Sequence, residues 1–389
     1  MDNKPSIVSV VGVYYPGYKA GGILRTLINM VDHLSSYYNF YIITTDRDLD
    51  DNFAYRNITP DVWCEVGNAK VLYLSPSKKT TQNIIKILNE ISYDLIFLNS
   101  FFEPLCVKTL FAYQLKMIPQ SNLLIAPRGE FAIPSFSQKK IKKLIFIFLA
   151  VKTRLLKNIV WLASSTIEEK EINLAINQKN KIKVLIDLPS KFQIGPLKID
   201  LNRRNPLKLI FLSRISEEKN LDFAISVLSK VYVELHFDIY GPISNDEYWN
   251  KCSKLIQKLP SNIKVNYNGI VKPDDVREVI SKYDLFFLPT KGENYGHVIA
   301  ESLSSGTPVL ISDKTPWLNL NEYSLGWDFS LDDENKFVDL IIEYSKKKFT
   351  EKNKLRNTVR TEFFKYLNLD DQIKTNVLIL NQIINLPNS

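Results

Sequence analysis

Short apolar runs alternate with stretches of helical period along most of the chain, the pattern of repeated βαβ units on mainly parallel sheets. In the first half, Ser6–Val13, Phe40–Thr45, Asp94–Leu98, Asn122–Ala126, Ile159–Ala163 and Ile182–Ile186 predict strands, and Gly22–Ser36 and Glu103–Tyr113 predict helices between them. The segment Asp187–Pro206 breaks the pattern. It is polar, has no clear period and contains Pro189, Pro196 and Pro206, so it reads as a linker. A second series then starts afresh, with strands expected at Leu207–Ser213, Leu235–Tyr240, Ile263–Tyr267, Asp284–Leu288 and Pro308–Ser312. Lys346–Phe364 and Leu367–Leu386 predict closing helices. The expected organisation is a first domain over residues 1–190, a linker over 191–206, a second domain over 207–366 and a helical segment over 367–389. The fold class is α/β, two Rossmann-like doubly wound domains expected to face each other across a cleft. Ligands of such sheets gather at the carboxyl ends of the strands.

The length of 389 residues suits two domains of ordinary size. A hydrophobic fraction of 45% with 24% charged residues is that of a soluble globular chain able to bury two cores. Cys64, Cys106 and Cys252 lie far apart, which excludes a zinc-ribbon pattern and argues for a reducing, cytoplasmic compartment. The start of the chain reads as a strand and not as a secretory leader. Of the three histidines, His33 is expected on a helix surface and His236 in a strand, and neither has a metal-ligand partner at useful spacing.

The net charge of +8 suits nucleic acid, an anionic membrane or phosphorylated substrates. No nucleic-acid motif is present, which leaves the other two. The most basic segment is local: Lys139, Lys140, Lys142 and Lys143 precede the apolar run Leu144–Val151, and Lys152, Arg154 and Lys157 follow it. The run is far short of the roughly 20 residues a membrane span needs. Lys139–Lys157 is therefore read as a peripheral contact with an anionic membrane, against the alternative that the run is the buried face of a helix.

The segment most suggestive of chemistry is Lys291–Pro308, which follows a buried strand. A helix is expected to start near Gly296 and stop at Gly306, so the backbone amides of Gly296, His297 and Val298 would form an anion site. Glu293 and Glu301 stand eight apart, one in the loop with Asn294 and Tyr295 and one on the helix. The first could face a sugar ring and the second a ribose, although either glutamate alone is most simply a surface charge. Arg214 ends the strand Leu209–Ser213, and Lys219 opens the next helix. A planar donor fork beside a mobile point charge suits two phosphates. Tyr240-Gly241-Pro242 and Asn268-Gly269-Ile270-Val271 close two further strands, and Gly21-Gly22 precedes a helix in the first half. Asp46-Arg47-Asp48, with Asp50 and Asp51 nearby, is a competing cue, since an Asp-x-Asp can hold a divalent metal. A solvated acidic turn is the reading preferred here.

Together these segments resemble the retaining GT-B glycosyltransferases of glycosyltransferase family 4, the glycosyl transferases group 1, with bacterial lipopolysaccharide and exopolysaccharide transferases among them. Glu293-x7-Glu301, Ser304-Ser305-Gly306-Thr307-Pro308-Val309, Ser312-Asp313 and Gly326-Trp327 after Trp317 carry the likeness most specifically. The resemblance implies a donor domain at the C-terminal side, an acceptor domain at the N-terminal side, and terminal helices that cross back. It implies that Arg214 and Lys219 bind a donor diphosphate, that Glu293 positions the donor sugar and Glu301 the ribose, and that the main chain of Ile270 and Val271 pairs with the base. It also implies donor contacts from Gly21, Gly22, Gly241 and the Asn294–Val298 loop. Ala126-Pro127-Arg128-Gly129-Glu130 resembles a family segment in which many members have His at the place of Arg128, a donor-sugar contact. Sugar transfer without a metal or other cofactor is the implied chemistry, from a nucleotide-sugar to a glycan or lipid-linked acceptor. A nucleotide-sugar epimerase or a phosphorylase on the same fold, or a non-catalytic sugar-nucleotide-binding subunit, remain the alternatives.

Overall fold

Central strands of a parallel sheet need apolar residues on both faces, because helices cover both. Ile7, Val8, Val10, Ile42, Ile43, Leu95, Ile96 and Phe97 meet that need and are wholly buried. The computed structural model describes residues 4–132, 136, 140–176, 181–191 and 206–387. They divide into two units: the residues up to 191 together with those from 369 onward, and the residues from 206 to 368. Residues 192–205, most of the segment read as the linker, lie outside the described residues.

The first unit runs β1 (Ser6–Val10), α1 (Gly22–Leu34), β2 (Asn39–Thr45), β3 (Trp63–Val66), β4 (Ala69–Leu74), α2 (Thr81–Glu90), β5 (Leu95–Leu98), α3 (Pro104–Gln114), β6 (Asn122–Ile125), α4 (Lys140–Lys152), β7 (Val160–Ala163), α5 (Thr166–Ile176) and β8 (Lys181–Val184). Its sheet has the order β3-β4-β2-β1-β5-β6-β7-β8. Only β3 is antiparallel to its neighbour, in a hairpin with β4 that turns at Gly67-Asn68 and pairs Val66 with Ala69. The apolar pattern predicts neither hairpin strand. β3 is a short edge strand with no buried residue, so its residues carry little of the signal.

The second unit comprises β9 (Leu207–Leu212), α6 (Leu221–Ser229), β10 (Leu235–Tyr240), α7 (Asp246–Ile256), β11 (Ile263–Tyr267), α8 (Val276–Ser281), β12 (Leu285–Leu288), α9 (His297–Ser304), β13 (Val309–Ser312), β14 (Gly326–Phe329), α10 (Glu334–Lys346) and α11 (Phe349–Leu367). The sheet order β11-β10-β9-β12-β13-β14 is the 3-2-1-4-5-6 order of a doubly wound fold, and every pairing is parallel. The order reverses between β9 and β12, where such folds hold ligands. Two elements differ from expectation. The strand β14 is added at one edge, and the helix expected at Lys346–Phe364 is α11, preceded by a separate α10.

The last helix, α12 (Leu369–Ile384), belongs to the first unit. Leu380 and Ile383 are fully buried there, in one cluster with Leu27, Leu34 and Tyr38. The Tyr38 hydroxyl donates to the carbonyl of Val377 and to Asn381 Oδ1 at 3.1 and 2.9 Å. Asn122 Nδ2 donates to the carbonyls of Ile384 and Leu386 at 3.2 and 2.9 Å.

The run Leu144–Val151 is not a buried face. Within α4 only Ile147 and Ala150 are buried, while Leu144, Ile145 and Leu149 are exposed, Ile141 is 74% exposed and Phe148 62%. With 3.6 residues per turn, Ile141, Leu144, Ile145, Phe148 and Leu149 form one outward stripe, bordered by Lys140 and Lys142. Lys139 lies outside the described residues. Lys143 is half-buried, with its ammonium 5.1 Å from the centre of the Phe102 ring, so it does not share that outer face. No described helix is long and apolar enough to cross a membrane.

Candidate functional site

At the point where the second sheet reverses, the loops after β9 and β12 are stitched together. The amide of Lys291 donates to the carbonyl of Glu218 at 2.7 Å, and the Thr290 hydroxyl donates to the carbonyls of Glu218 and Gly292 at 3.1 and 2.9 Å. Asn220 Nδ2 donates to the carbonyl of Pro289 at 2.9 Å. A third loop joins them. The Ser312 hydroxyl donates to the carbonyl of Thr290, and the amide of Glu293 to the carbonyl of Lys314 at 3.1 Å. Thr290, Ser312 and Asn220 are buried; the sequence pointed to Ser312 alone, through the Ser312-Asp313 likeness, and to a bonding partner for none of them. Single small polar residues carry no spacing signal.

This scaffold brings Lys219 and Glu293 into contact, 74 residues apart in the chain. Lys219 Nζ lies 2.8 Å from Glu293 Oε1, 3.4 Å from Glu218 Oε1 and 3.3 Å from the carbonyl of Gly292. Lys219 is buried. Burial by itself lowers its pKa, but Glu293 and Glu218 more than offset this and hold the ammonium above its ordinary value. Arg214 is exposed at the mouth of the same loop and makes no ion pair among the described residues. Gly241 packs against that strand end. Its φ is +134°, and a β-carbon there would run into the Ser213 carbonyl, so only glycine fits. Its amide donates to the carbonyl of Gly269 at 2.8 Å, which anchors the turn carrying exposed Ile270 and half-buried Val271.

Gly296 is the left-handed N-cap of α9, with φ +81°, and the first intrahelical bond is from the amide of Ile299 to its carbonyl at 2.8 Å. The amides of Gly296, His297 and Val298 thus precede the hydrogen-bonded ladder. Tyr295 is buried, its ring 4.8 Å from that of His297 and 5.3 Å from that of Trp317, whose indole donates to the Tyr295 carbonyl. Glu301 is buried on α9, and its charge reaches Arg277. Burial and Arg360 pull that guanidinium below its ordinary value, and Glu301 works against them. The structure thus gathers Lys219, Glu293 and Arg214 at one sheet reversal, and gives Glu301 a protein neighbour.

In the first unit, Gly21 is the N-cap of α1 at φ +63°, with Gly22 next to it, and a β-carbon at either would meet open space. Arg128 points into the protein. Its Nη1 is 2.8 Å from Asp187 Oδ1, its Nη2 is 3.1 Å from Asn99 Oδ1, and it lies over the Phe97 ring. Asp187 also accepts from the Thr26 hydroxyl at 2.8 Å. The chain after β8 is therefore fastened along α1, where Asn29 donates to the Leu188 carbonyl and His33 Nε2 lies 2.9 Å from the Pro189 carbonyl. His33 is half-buried and not on an open helix surface. Among the described residues, no group of three or more His, Cys, Asp or Glu side chains is placed to hold a metal ion.

Comparison with known proteins adds to this geometry. Residues 198–361 match the family described as Glycosyl transferases group 1. An uncharacterized 41.2 kDa protein in the cps region of Klebsiella pneumoniae is 24% identical over 336 residues, covering 80% of this chain and 88% of that protein. Among solved structures, Anabaena HepE in complex with UDP and glucose superposes with a TM-score of 0.70 at 15% identity, over 97% of this chain and 100% of that one. WaaG, described as a glycosyltransferase involved in lipopolysaccharide biosynthesis, gives a TM-score of 0.64 at 12% identity, over 96% of this chain and 99% of that one. The chain therefore has the GT-B fold, and its second unit carries a glycosyl transferases group 1 region.

Proposed function

We propose that this chain is a retaining, metal-independent glycosyltransferase of the family-4 type, moving a sugar from a nucleotide-diphospho-sugar to a glycan or lipid-linked acceptor in bacterial surface polysaccharide synthesis. The observation that carries the reading is the cluster of Lys219, Glu293 and Arg214 at the sheet reversal, inside the region that matches glycosyl transferases group 1. Exposed Arg214 and the start of α9 would take the diphosphate, with Lys219 adding its charge from below. These groups stabilise the negative charge that grows on the leaving phosphate, as preorganised donors do. Glu293, held by Lys219, orients the donor sugar. Glu301 serves the ribose, and the backbone at Ile270 and Val271 serves the base. The UDP and glucose named in the HepE complex and the cps region named for the Klebsiella relative support this class of donor and pathway.

The chain would work in the cytoplasm, on the inner face of the membrane. The outward apolar stripe of α4 with its flanking lysines supports peripheral docking there. The test is a thermal-shift panel of nucleoside diphosphates and their sugars, followed by transfer assays with anomeric assignment by NMR, with and without EDTA. A shift with one nucleotide series and a retained anomer in EDTA are expected. No shift with any of them, or activity lost in EDTA and restored by Mg²⁺, overturns the reading or its metal independence respectively.

A further inference from the structure

Gly296 opens α9 from the left-handed region, with φ +81° and ψ +60°. A glycine at this place lets the peptide plane between Tyr295 and Gly296 turn over. Turning it changes only ψ of Tyr295 and φ of Gly296, and glycine accepts φ of either sign. In a trans peptide the carbonyl and the N–H point in opposite directions. Whatever holds the Tyr295 carbonyl therefore also aims the Gly296 amide, the first of the three that precede the hydrogen-bonded ladder of α9.

Trp317 holds that carbonyl. Its indole Nε1 donates to it, and a β-carbon on Gly296 would stand 3.5 Å from Nε1, so the ring edge lies against the cap itself. Trp317 is 4% exposed and Tyr295 6%, which keeps water from competing for the bond. The indole is itself well fixed. It stacks on Phe363 and Tyr366 of α11, with ring centres 6.1 and 6.0 Å away and planes 30° and 24° apart. Its backbone amide donates to the hydroxyl of buried Thr315 at 3.2 Å. Further along, the amides of Asn319 and Leu320 donate to the Asp328 carboxylate at 3.0 and 2.9 Å, which ties the same loop to β14. The loop after β13 thus braces the loop before α9 at two points: the Lys314 carbonyl takes the Glu293 amide, and Trp317 takes the Tyr295 carbonyl. A side chain buried this deeply acts through the peptide it holds, and not by touching a ligand.

We propose that Trp317 is a positioning residue, whose indole N–H selects the peptide orientation that turns the Gly296 amide toward the donor's diphosphate. This rests on the transferase reading and adds the residue that sets how well the start of α9 receives phosphate. Trp317→Phe keeps a ring against Phe363 and Tyr366 but has no N–H. Trp317→His restores a ring N–H, and at pH 8 it does so without a charge. Calorimetry on the whole chain uses UDP, GDP and ADP and the matching monophosphates. The wild type is expected to prefer the diphosphate of one base over its monophosphate. Trp317→Phe should bind that diphosphate about 5- to 10-fold more weakly, with little change for the monophosphate, and Trp317→His should recover part of the loss. A residue that only fills the core would instead lower the melting temperature and weaken both nucleotides alike. That result, unchanged diphosphate affinity in Trp317→Phe, or a Trp317→His no better than Trp317→Phe, overturns the positioning by Trp317 and leaves the transferase reading standing. Wild type that binds no nucleoside diphosphate sinks the transferase reading and this inference with it.

Discussion

The Lys219–Glu293 contact is a nearly buried ion pair, and at that depth each partner depends on the other. Lys219→Met and Glu293→Gln should therefore couple in a double-mutant cycle of unfolding free energy, by about 0.5–3 kcal/mol. Additive effects would show that the two side chains do not meet in solution. Ligand binding separates the two glutamates. Glu301→Gln should weaken both nucleoside diphosphate and full donor in calorimetry, whereas Glu293→Gln should weaken only the full donor. Equal losses in both titrations contradict the division of roles. His33 supplies a pH signature. Burial, the largest influence, holds its pKa below the ordinary value of 6.5, with Lys191 also lowering it and the Pro189 carbonyl and Asp32 opposing. A base with a depressed folded pKa contributes stability that is complete above its unfolded pKa and is lost as pH falls through the folded one. The melting temperature should thus rise between pH 5 and pH 7.5, and His33→Gln should flatten part of that rise. At this scale the sequence was legible where charge stood beside a strand end, as at Arg214, Lys219 and Glu293. It was silent on what Thr290, Asn220 and Ser312 bond, because a hydroxyl or amide carries no trace of its partner. It marked Arg128 but not its partner Asp187, which is 59 residues away.

Among the elements, most strands buried on both faces were readable from their apolar runs, but the interior strand β4, buried at all positions but Lys70, was missed along with two edges. β3 has no buried residue, and β14 is a four-residue strand opening with Gly326, so neither has the pattern that marks a core strand. The break between α10 and α11 falls at Lys347-Lys348, with no glycine or proline to announce it. α4 teaches the opposite lesson, since its apolar run was plain but its direction was not. Phe146 and Ile147 face the core side while Ile145 and Phe148 face out. Its docking can be tested by co-sedimentation with anionic vesicles. Burying Ile145 and Phe148 in lipid would stabilise the contact by about 1.5–3 kcal/mol each. Each flanking lysine adds about 1 kcal/mol near an anionic surface. Ile145→Asp/Phe148→Asp should then stay in the supernatant even at low salt, and Lys140→Gln/Lys142→Gln/Lys152→Gln should pellet less, most visibly as salt rises. All of these residues are exposed, so the melting temperature should not move. Equal pelleting of all three proteins would leave α4 an ordinary surface.

For the whole molecule, the chain closes its first unit with its last helix. The residues from 206 to 368 are continuous in sequence, whereas the first unit needs two separate pieces. Removing residues 369–389 uncovers the places of Leu380 and Ile383, each worth about 1.5–3 kcal/mol of burial, and leaves Tyr38 and Asn122 without their partners on α12. Chemical denaturation of the truncated chain should show the first unit's transition weakened by several kcal/mol and the second unit's transition in place. A uniform loss across both transitions would contradict the division of the chain.

The closing helix also sets an order on synthesis. As the chain leaves the ribosome, the sheet around β1 is complete long before the helix that covers Tyr38 and Leu34 exists, and the whole second unit is made in between. The first unit is begun before the second and finished after it. Until residue 384 is out, it must wait with part of its core open, so a ribosome that stalls before that point leaves a chain with one finished half and one that quality-control proteases can seize.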